Sequence, residues 1–379
     1  MDKMNLLGVV TVISLFISFF LAFFLLKVKT KHKISNYLFA LYLFLTAIDC
    51  SEPLFSLVTD GPSNFGMFRG TLAFLQLPVF YLYVMSVCYS DFRLNVKHLL
   101  HLLPFFIANI TLFPHFYSVD LASKIEFVIN RKEMIEFQFN HILINIQLIA
   151  YIIAVFLILR KAKKLYLENY AGADLQSYQW LFQFTVVLSI LYSVAIVKNI
   201  FKFSDYTEIS EWMKIFGLVF QMFIVCWYLY KALNHPELFR NIDSKLKLVS
   251  DLVLEEKTTE PETLHEDLSK LKKYMADEKP FLNPALTIQD ISREIGVPVR
   301  ELSVLINHQL GQHFYDFVNT YRIENAMEIL KDSSKSKVTV LEILYEVGFN
   351  SKSSFNTAFK KHTGNTPTNY RKSLQNSVL

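Results

Sequence analysis

The stretch VGFNSKSSFNTAFKKHTGNTPTNYR, residues Val347–Arg371, decides how this chain is read. Gly348 closes an apolar-faced segment and permits the left-handed backbone that stops a helix and turns the chain. Phe355 and Phe359, four residues apart, mark the buried side of the helix that follows. Lys352, Ser353, Asn356, Thr357 and Lys360 fall on its outward sides. Helix, glycine turn and helix is the geometry that presents a second helix to a DNA major groove. From Ser351 onward the chain carries the bases Lys352, Lys360, Lys361, Arg371 and Lys372 and no acid. That charge pattern suits a surface that meets phosphate.

Working towards the amino terminus, the same unit occurs a second time. TIQDISREIG, Thr287–Gly296, matches TVLEILYEVG, Thr339–Gly348, at an offset of 52 residues (339 − 287). Each copy opens with a capping box, in which the threonine oxygen takes the backbone N–H three residues on and the acid reaches back. Each copy ends at glycine and is followed by a second helix. In the first copy that helix begins near Pro298, with Leu302 and Ile306 facing the core and Arg300, Ser303 and Asn307 outward. The joining segment supplies Phe314, Phe317, Tyr321, Ala326 and Leu330 to a helix packed on both units. About 18 helical residues cover about 27 Å, near the ~34 Å of one DNA turn, so both second helices can enter one face of a duplex. Arg300 and Lys352 can donate to guanine O6 and N7, and Asn356 can pair with adenine. Lys360, Lys361 and Arg371 are placed to hold phosphates and fix register.

Residues 283–372 resemble the AraC/XylS-type DNA-binding domain. The resemblance rests on Ile291, Glu294, Gly296 and Val297; on Tyr321, Arg322, Ile323 and Ala326; on Glu346–Phe349 with Ser351, Ser353 and Phe355; and on Phe359–Lys361, Thr363, Gly364, Thr366, Pro367, Tyr370 and Arg371. It implies two helix-turn-helix units, about 287–308 and 339–361, on one asymmetric double-stranded DNA site, with RNA polymerase as the partner in activation. Position by position, it places Arg300, Ser303 and Val304 on the contact face of the first unit. Lys352, Ser353, Asn356 and Thr357 take that place in the second. Val304 and Thr357 stand where the family often has arginine, so the target sequence does not carry over.

The other end of the chain is built differently. Seven apolar segments can be drawn, at about 6–26, 37–57, 70–90, 99–117, 141–159, 181–197 and 215–230. About 20 apolar residues cross a bilayer core. Lys27, Lys29, Lys31 and Lys33 follow the first segment, and Arg160, Lys161, Lys163 and Lys164 follow the fifth. The positive-inside rule puts both clusters in the cytoplasm. With DNA also inside, an odd number of spans is needed: amino terminus outside, carboxyl terminus cytoplasmic, in the cytoplasmic membrane. The expected architecture is all-α: a seven-span module at 1–233, a helical and acidic linker at 234–268, and the DNA reader at 269–379. Order and hydropathy resemble membrane-bound AraC-type regulators.

Ionisable groups inside a membrane need an account. Asp49, Glu52 and Lys198 fall towards the outer ends of their spans, where they form a shared ligand-sensing pocket, reach water or pair for packing. Gln76, Gln147, Gln183 and Gln221 read as interhelical hydrogen-bonding groups. In the linker, Phe239, Ile242, Leu246, Val249 and Val253 make one apolar stripe, fit for a short homodimer stalk or for an amphipathic helix on a surface. Residues 251–267 hold seven acids and one lysine.

Cys50, Cys88 and Cys226 fit no zinc spacing, the histidines are scattered, and no phosphate-cradling glycine loop stands out. No cofactor, metal or enzymatic activity is expected. Three readings follow. In one, a membrane-held regulator senses an unidentified ligand through its spans. In another, a transporter carries a regulatory tail. In the third, a passive anchor releases the reader by cleavage in the linker.

Overall fold

The computed structural model describes residues 3–28, 33–59, 61–172, 175–204, 206–234, 261–335 and 337–376. The chain divides into two units, Met1–Leu159 with Gln179–Asn241 and Arg160–Tyr178 with Ile242–Leu379. Among the described residues every named element is helical, and Tyr170 pairs with Thr287 in an antiparallel bridge.

The first unit contains α1 (Lys3–Lys27), α2 (Lys33–Cys50), α3 (Glu52–Val58), α4 (Asn64–Thr71), α5 (Ala73–Cys88), α6 (Leu103–Leu112), α7 (Leu121–Ile129), most of α8 (Ile135–Asn169), α9 (Leu175–Lys202) and α10 (Thr207–Asn234). Its centre is aromatic. Phe39 lies 4.2 Å from Tyr228 and 4.7 Å from Tyr83, ring centre to ring centre, with Phe80 and Phe184 close by. Gln147 ties two helices, its Nε2 donating to the Phe74 carbonyl at 2.9 Å.

The outer faces of this unit are apolar. On α8, Ile142, Ile146, Ile149, Ile153 and Leu157 form an exposed stripe at helical spacing. In the second unit Leu282, Leu341 and Tyr345 are the only exposed large hydrophobic side chains among the described residues. Water disfavours an apolar surface as extensive as the first.

Six helical stretches are long and apolar enough to cross a membrane: Leu7–Lys27, Asn64–Cys88, Val96–Tyr117, Ile135–Asn169, Tyr178–Lys202 and Glu208–Lys231. The expected count of seven is corrected here, because segment 37–57 is not one continuous helix. Pro53 has no N–H to give the Asp49 carbonyl, so α2 stops after 18 residues. Arg69 takes over the freed end, its Nη1 donating to the carbonyls of Ile48 at 3.0 Å and Asp49 at 3.4 Å. At 1.5 Å per residue α2 is about 27 Å long, just short of a ~30 Å hydrocarbon core.

The second unit contains α11 (Pro261–Asp277), α12 (Ile288–Ile295), α13 (Val299–Val304, continued by a wider turn over Leu305–Gln309), α14 (Phe314–Lys331), α15 (Val340–Glu346), α16 (Lys352–Thr363) and α17 (Pro367–Asn376). It has two cores joined by α14. Phe314, Phe317 and Val318 from its first half meet Leu271, Met275, Ile288, Ile291 and Leu302. Ile323, Ala326 and Leu330 from its second half meet Ile343, Leu344, Phe355 and Phe359.

The expected boundary between 268 and 269 falls inside α11, whose Leu268 and Leu271 both pack on the first core. Residues 160–178, expected with the spans, belong to the second unit. The apolar stripe from Phe239 to Val253 and most of the acidic stretch lie outside the described residues.

Candidate nucleic-acid interface

Both repeated units are built from their termini inwards. Thr287 Oγ1 accepts from the Asp290 N–H at 3.3 Å, and Asp290 Oδ2 accepts from the Thr287 N–H at 3.0 Å. The same reciprocal box closes between Thr339 and Glu342 at 3.2 and 2.7 Å. Glu342 gains two donors there, which hold its carboxyl below the usual range. Gly296 and Gly348 then turn the chain with φ of 68° and 89°. At Gly348 a side chain is excluded twice over, since a Cβ would stand 2.5 Å from the Phe281 carbonyl oxygen.

In the second unit α16 follows a Ser351 cap whose oxygen accepts from the Ser354 N–H at 3.1 Å. Phe355 and Phe359 are fully buried, and the opposite side is free to meet a groove. Lys352, Ser353, Thr357, Lys360 and Lys361 are exposed, and Asn356 is half-buried. Lys361 is engaged with Asp316 of α14 at 2.7 Å, which ties the reading helix to the central one. Arg371 on α17 is half-buried.

The first helix-turn-helix unit departs from the expectation. Arg300 is exposed, but Ser303 and Val304 are 3% and 4% exposed and cannot reach a base edge as they stand. Asn307 is occupied as well. Its Nδ2 donates to the Ser303 carbonyl at 2.9 Å, and its Oδ1 accepts from the Phe314 N–H at 3.0 Å, capping α14 where His313 supplies no side-chain cap. Glu301 is exposed beside Arg300, and the wider turn over Leu305–Gln309 shifts the helical register so that His308 and Gln309 are exposed as well. An ideal 3.6-residue wheel drawn from Arg300 misses that shift.

The sequence reading also missed the centre of this unit. Arg322 of α14 is 1% exposed. Its Nε donates to the Phe281 carbonyl at 2.7 Å and its Nη2 to the Asn283 carbonyl at 2.8 Å. Nη1 donates to the Ala171 carbonyl at 3.0 Å and to Asn319 Oδ1 at 3.2 Å. Burial lowers its pKa to about 10, so it remains a cation at neutral pH. Only a planar guanidinium offers that many donors in fixed directions.

Ala171 comes from the turn between α8 and α9, yet it lies in the core of the first helix-turn-helix unit. Its N–H donates to the Leu286 carbonyl at 3.0 Å, beside the Tyr170–Thr287 bridge. At Gly172 a Cβ would meet the Pro284 carbonyl oxygen at 2.1 Å, so only glycine allows this approach. The signal available in the sequence was Arg322 inside the Tyr321–Ala326 motif. Nothing linear pointed to Ala171, 151 residues away.

Asp49, Glu52 and Lys198 all line one cavity of the first unit. Glu52 forms an ion pair with Lys214.

A profile of the family described as "Helix-turn-helix domain" matches residues 291–373. An uncharacterised HTH-type transcriptional regulator of Staphylococcus aureus (strain COL) is 35% identical over 86 residues, 23% of this chain and 11% of that protein. The uncharacterised transcriptional regulatory protein YesN of Bacillus subtilis (strain 168) is 32% identical over 107 residues, 28% of each chain. The Msm operon regulatory protein of Streptococcus mutans serotype c is 24% identical over 118 residues, 30% of this chain and 41% of that protein. The chain thus spans about a tenth to two fifths of the length of these relatives. No solved structure matches the chain. The carboxyl-terminal domain is a helix-turn-helix domain of the AraC type.

Proposed function

With an AraC-type helix-turn-helix domain as the premise, we propose that this chain is a membrane-held, sequence-specific transcription regulator whose helical bundle senses a signal. In this reading Arg300, Lys352, Ser353, Asn356 and Thr357 read bases, and Lys360, Lys361 and Arg371 hold phosphates. Lys361 exchanges its Asp316 partner for a phosphate on binding.

One observation carries the link between bundle and reader. The turn joining two apolar helices is a structural part of the reader, held by Arg322 and by the Ala171–Leu286 backbone bond. A shift of α8 against α9 therefore acts directly on the first helix-turn-helix core. The same contacts weigh against release by cleavage between 251 and 267 alone, because the turn would still hold the reader.

The lysines after α1 put its carboxyl end in the cytoplasm. Extraction of cell membranes with alkaline carbonate tests the anchoring: the chain stays in the pellet, and its appearance in the supernatant would remove the membrane reading.

A further inference from the structure

We infer that the cavity of the first unit is a binding site for an organic anion, a carboxylate or phosphate on a small apolar body. This inference rests on the sensor reading above and names the chemistry that the sensor recognises.

The cavity holds about 510 Å³, within the range of small-molecule sites. Five bases line it: Arg69, Arg131, Lys198, Lys202 and Lys214. Three acids do so, Asp49, Glu52 and Glu211. The Glu52–Lys214 pair cancels one of each, leaving four bases against two acids. None of those four bases makes an ion pair with a carboxylate among the described residues. Lys202 has only the His141 ring nitrogen at 3.2 Å and the face of Phe137 at 4.7 Å.

The second observation is a pair of stranded donors. Arg69 is 8% exposed and Gln76 is 6% exposed, and both line the cavity. Arg69 spends Nη1 on the end of α2, but its Nε has no acceptor. The amide nitrogen of Gln76 has none either. Buried donors left without acceptors are unfavourable, and the oxygens of an anion satisfy both while balancing the excess positive charge. A cation would do neither. Phe74, Leu112, Leu148 and Leu191 supply an apolar wall for the rest of the ligand.

Such an anion arrives from the aqueous phase or as a lipid headgroup, and the experiment separates these sources. The full-length chain is reconstituted in phosphatidylcholine vesicles with and without phosphatidylglycerol. Its melting temperature is measured with sodium phosphate, sodium hexanoate or hexylammonium chloride. DNA affinity is read on the same samples.

Hexanoate or phosphate should raise the melting temperature by a few degrees in neutral vesicles. The double substitution Lys198→Gln with Lys202→Gln should abolish the rise while leaving the unliganded melting temperature in place. A rise seen only with phosphatidylglycerol, and lost in the double variant, supports the site with lipid as its source. No rise with any anion, an equal rise in the variant, or a rise with hexylammonium alone overturns the proposal. A rise with unchanged DNA affinity upholds the anion site and removes the sensor reading instead.

Discussion

Replacing Arg322 with methionine removes the guanidinium and keeps an unbranched apolar stem. It leaves the carbonyls of Phe281, Asn283 and Ala171 and the amide oxygen of Asn319 without their donor. A stranded buried acceptor costs about 1–3 kcal/mol, and loss of a buried cation's desolvation penalty offsets part of the sum. A net loss of about 3 kcal/mol is therefore reasonable, well inside the ~5–15 kcal/mol of a folded domain. The effect should concentrate where the acceptors are. In hydrogen exchange on the full-length chain in vesicles, the amides of Ala171 and Leu286 should exchange about 100-fold faster, at 1.4 kcal/mol per tenfold. Those of α9 should not change. Arg322→Lys keeps the charge without the fork and should fall between. Unchanged exchange at Ala171 and Leu286 in a folded Arg322→Met chain would refute the claim that Arg322 holds the turn to the reader.

Lys352→Ala should lower affinity by about 1–3 kcal/mol at one base position, whereas Lys360→Ala should weaken all sequences alike and reduce the salt slope by about one; titrations on matched DNA sites at several salt concentrations separate the two. Gly348→Ala forces a side chain onto φ of 89° and against the Phe281 and Leu282 carbonyls; a loss of more than about 1 kcal/mol is expected from strained backbone alone, visible in chemical denaturation of the reader. Thr339→Ala removes one half of a capping box and should cost about 1 kcal/mol in the same assay, without altering which DNA is selected.

The two helix-turn-helix units were legible because their cues are local. Thr287 with Asp290, Thr339 with Glu342, and the two glycines each act within a few residues, and the 52-residue offset survives in the structure. The alternation of Phe314, Phe317, Ala326 and Leu330 likewise gave the helix that joins both cores. The face of the first reading helix was not legible, because the wider turn after Val304 and the capping role of Asn307 depend on where α14 begins. The end of α2 was legible in hindsight from Pro53, but its repair by Arg69 is a tertiary contact. The turn at Ala171 was hidden for a different reason. The bases before it, from Arg160 to Lys164, read as a solvated flank, and a backbone partner more than a hundred residues away leaves no mark in the sequence. Asp49, Glu52 and Lys198 line one cavity, and the excess of bases around them and the unsatisfied donors of Arg69 and Gln76 needed coordinates.

The most direct test is selection of bound DNA from a random pool by the full-length chain in vesicles, with Lys352→Ala in parallel. A membrane-held double helix-turn-helix reader predicts one enriched motif with two blocks about one helical turn apart, one of them degraded by the substitution. Binding with no enriched motif, or with a steep salt dependence as its only feature, would contradict it.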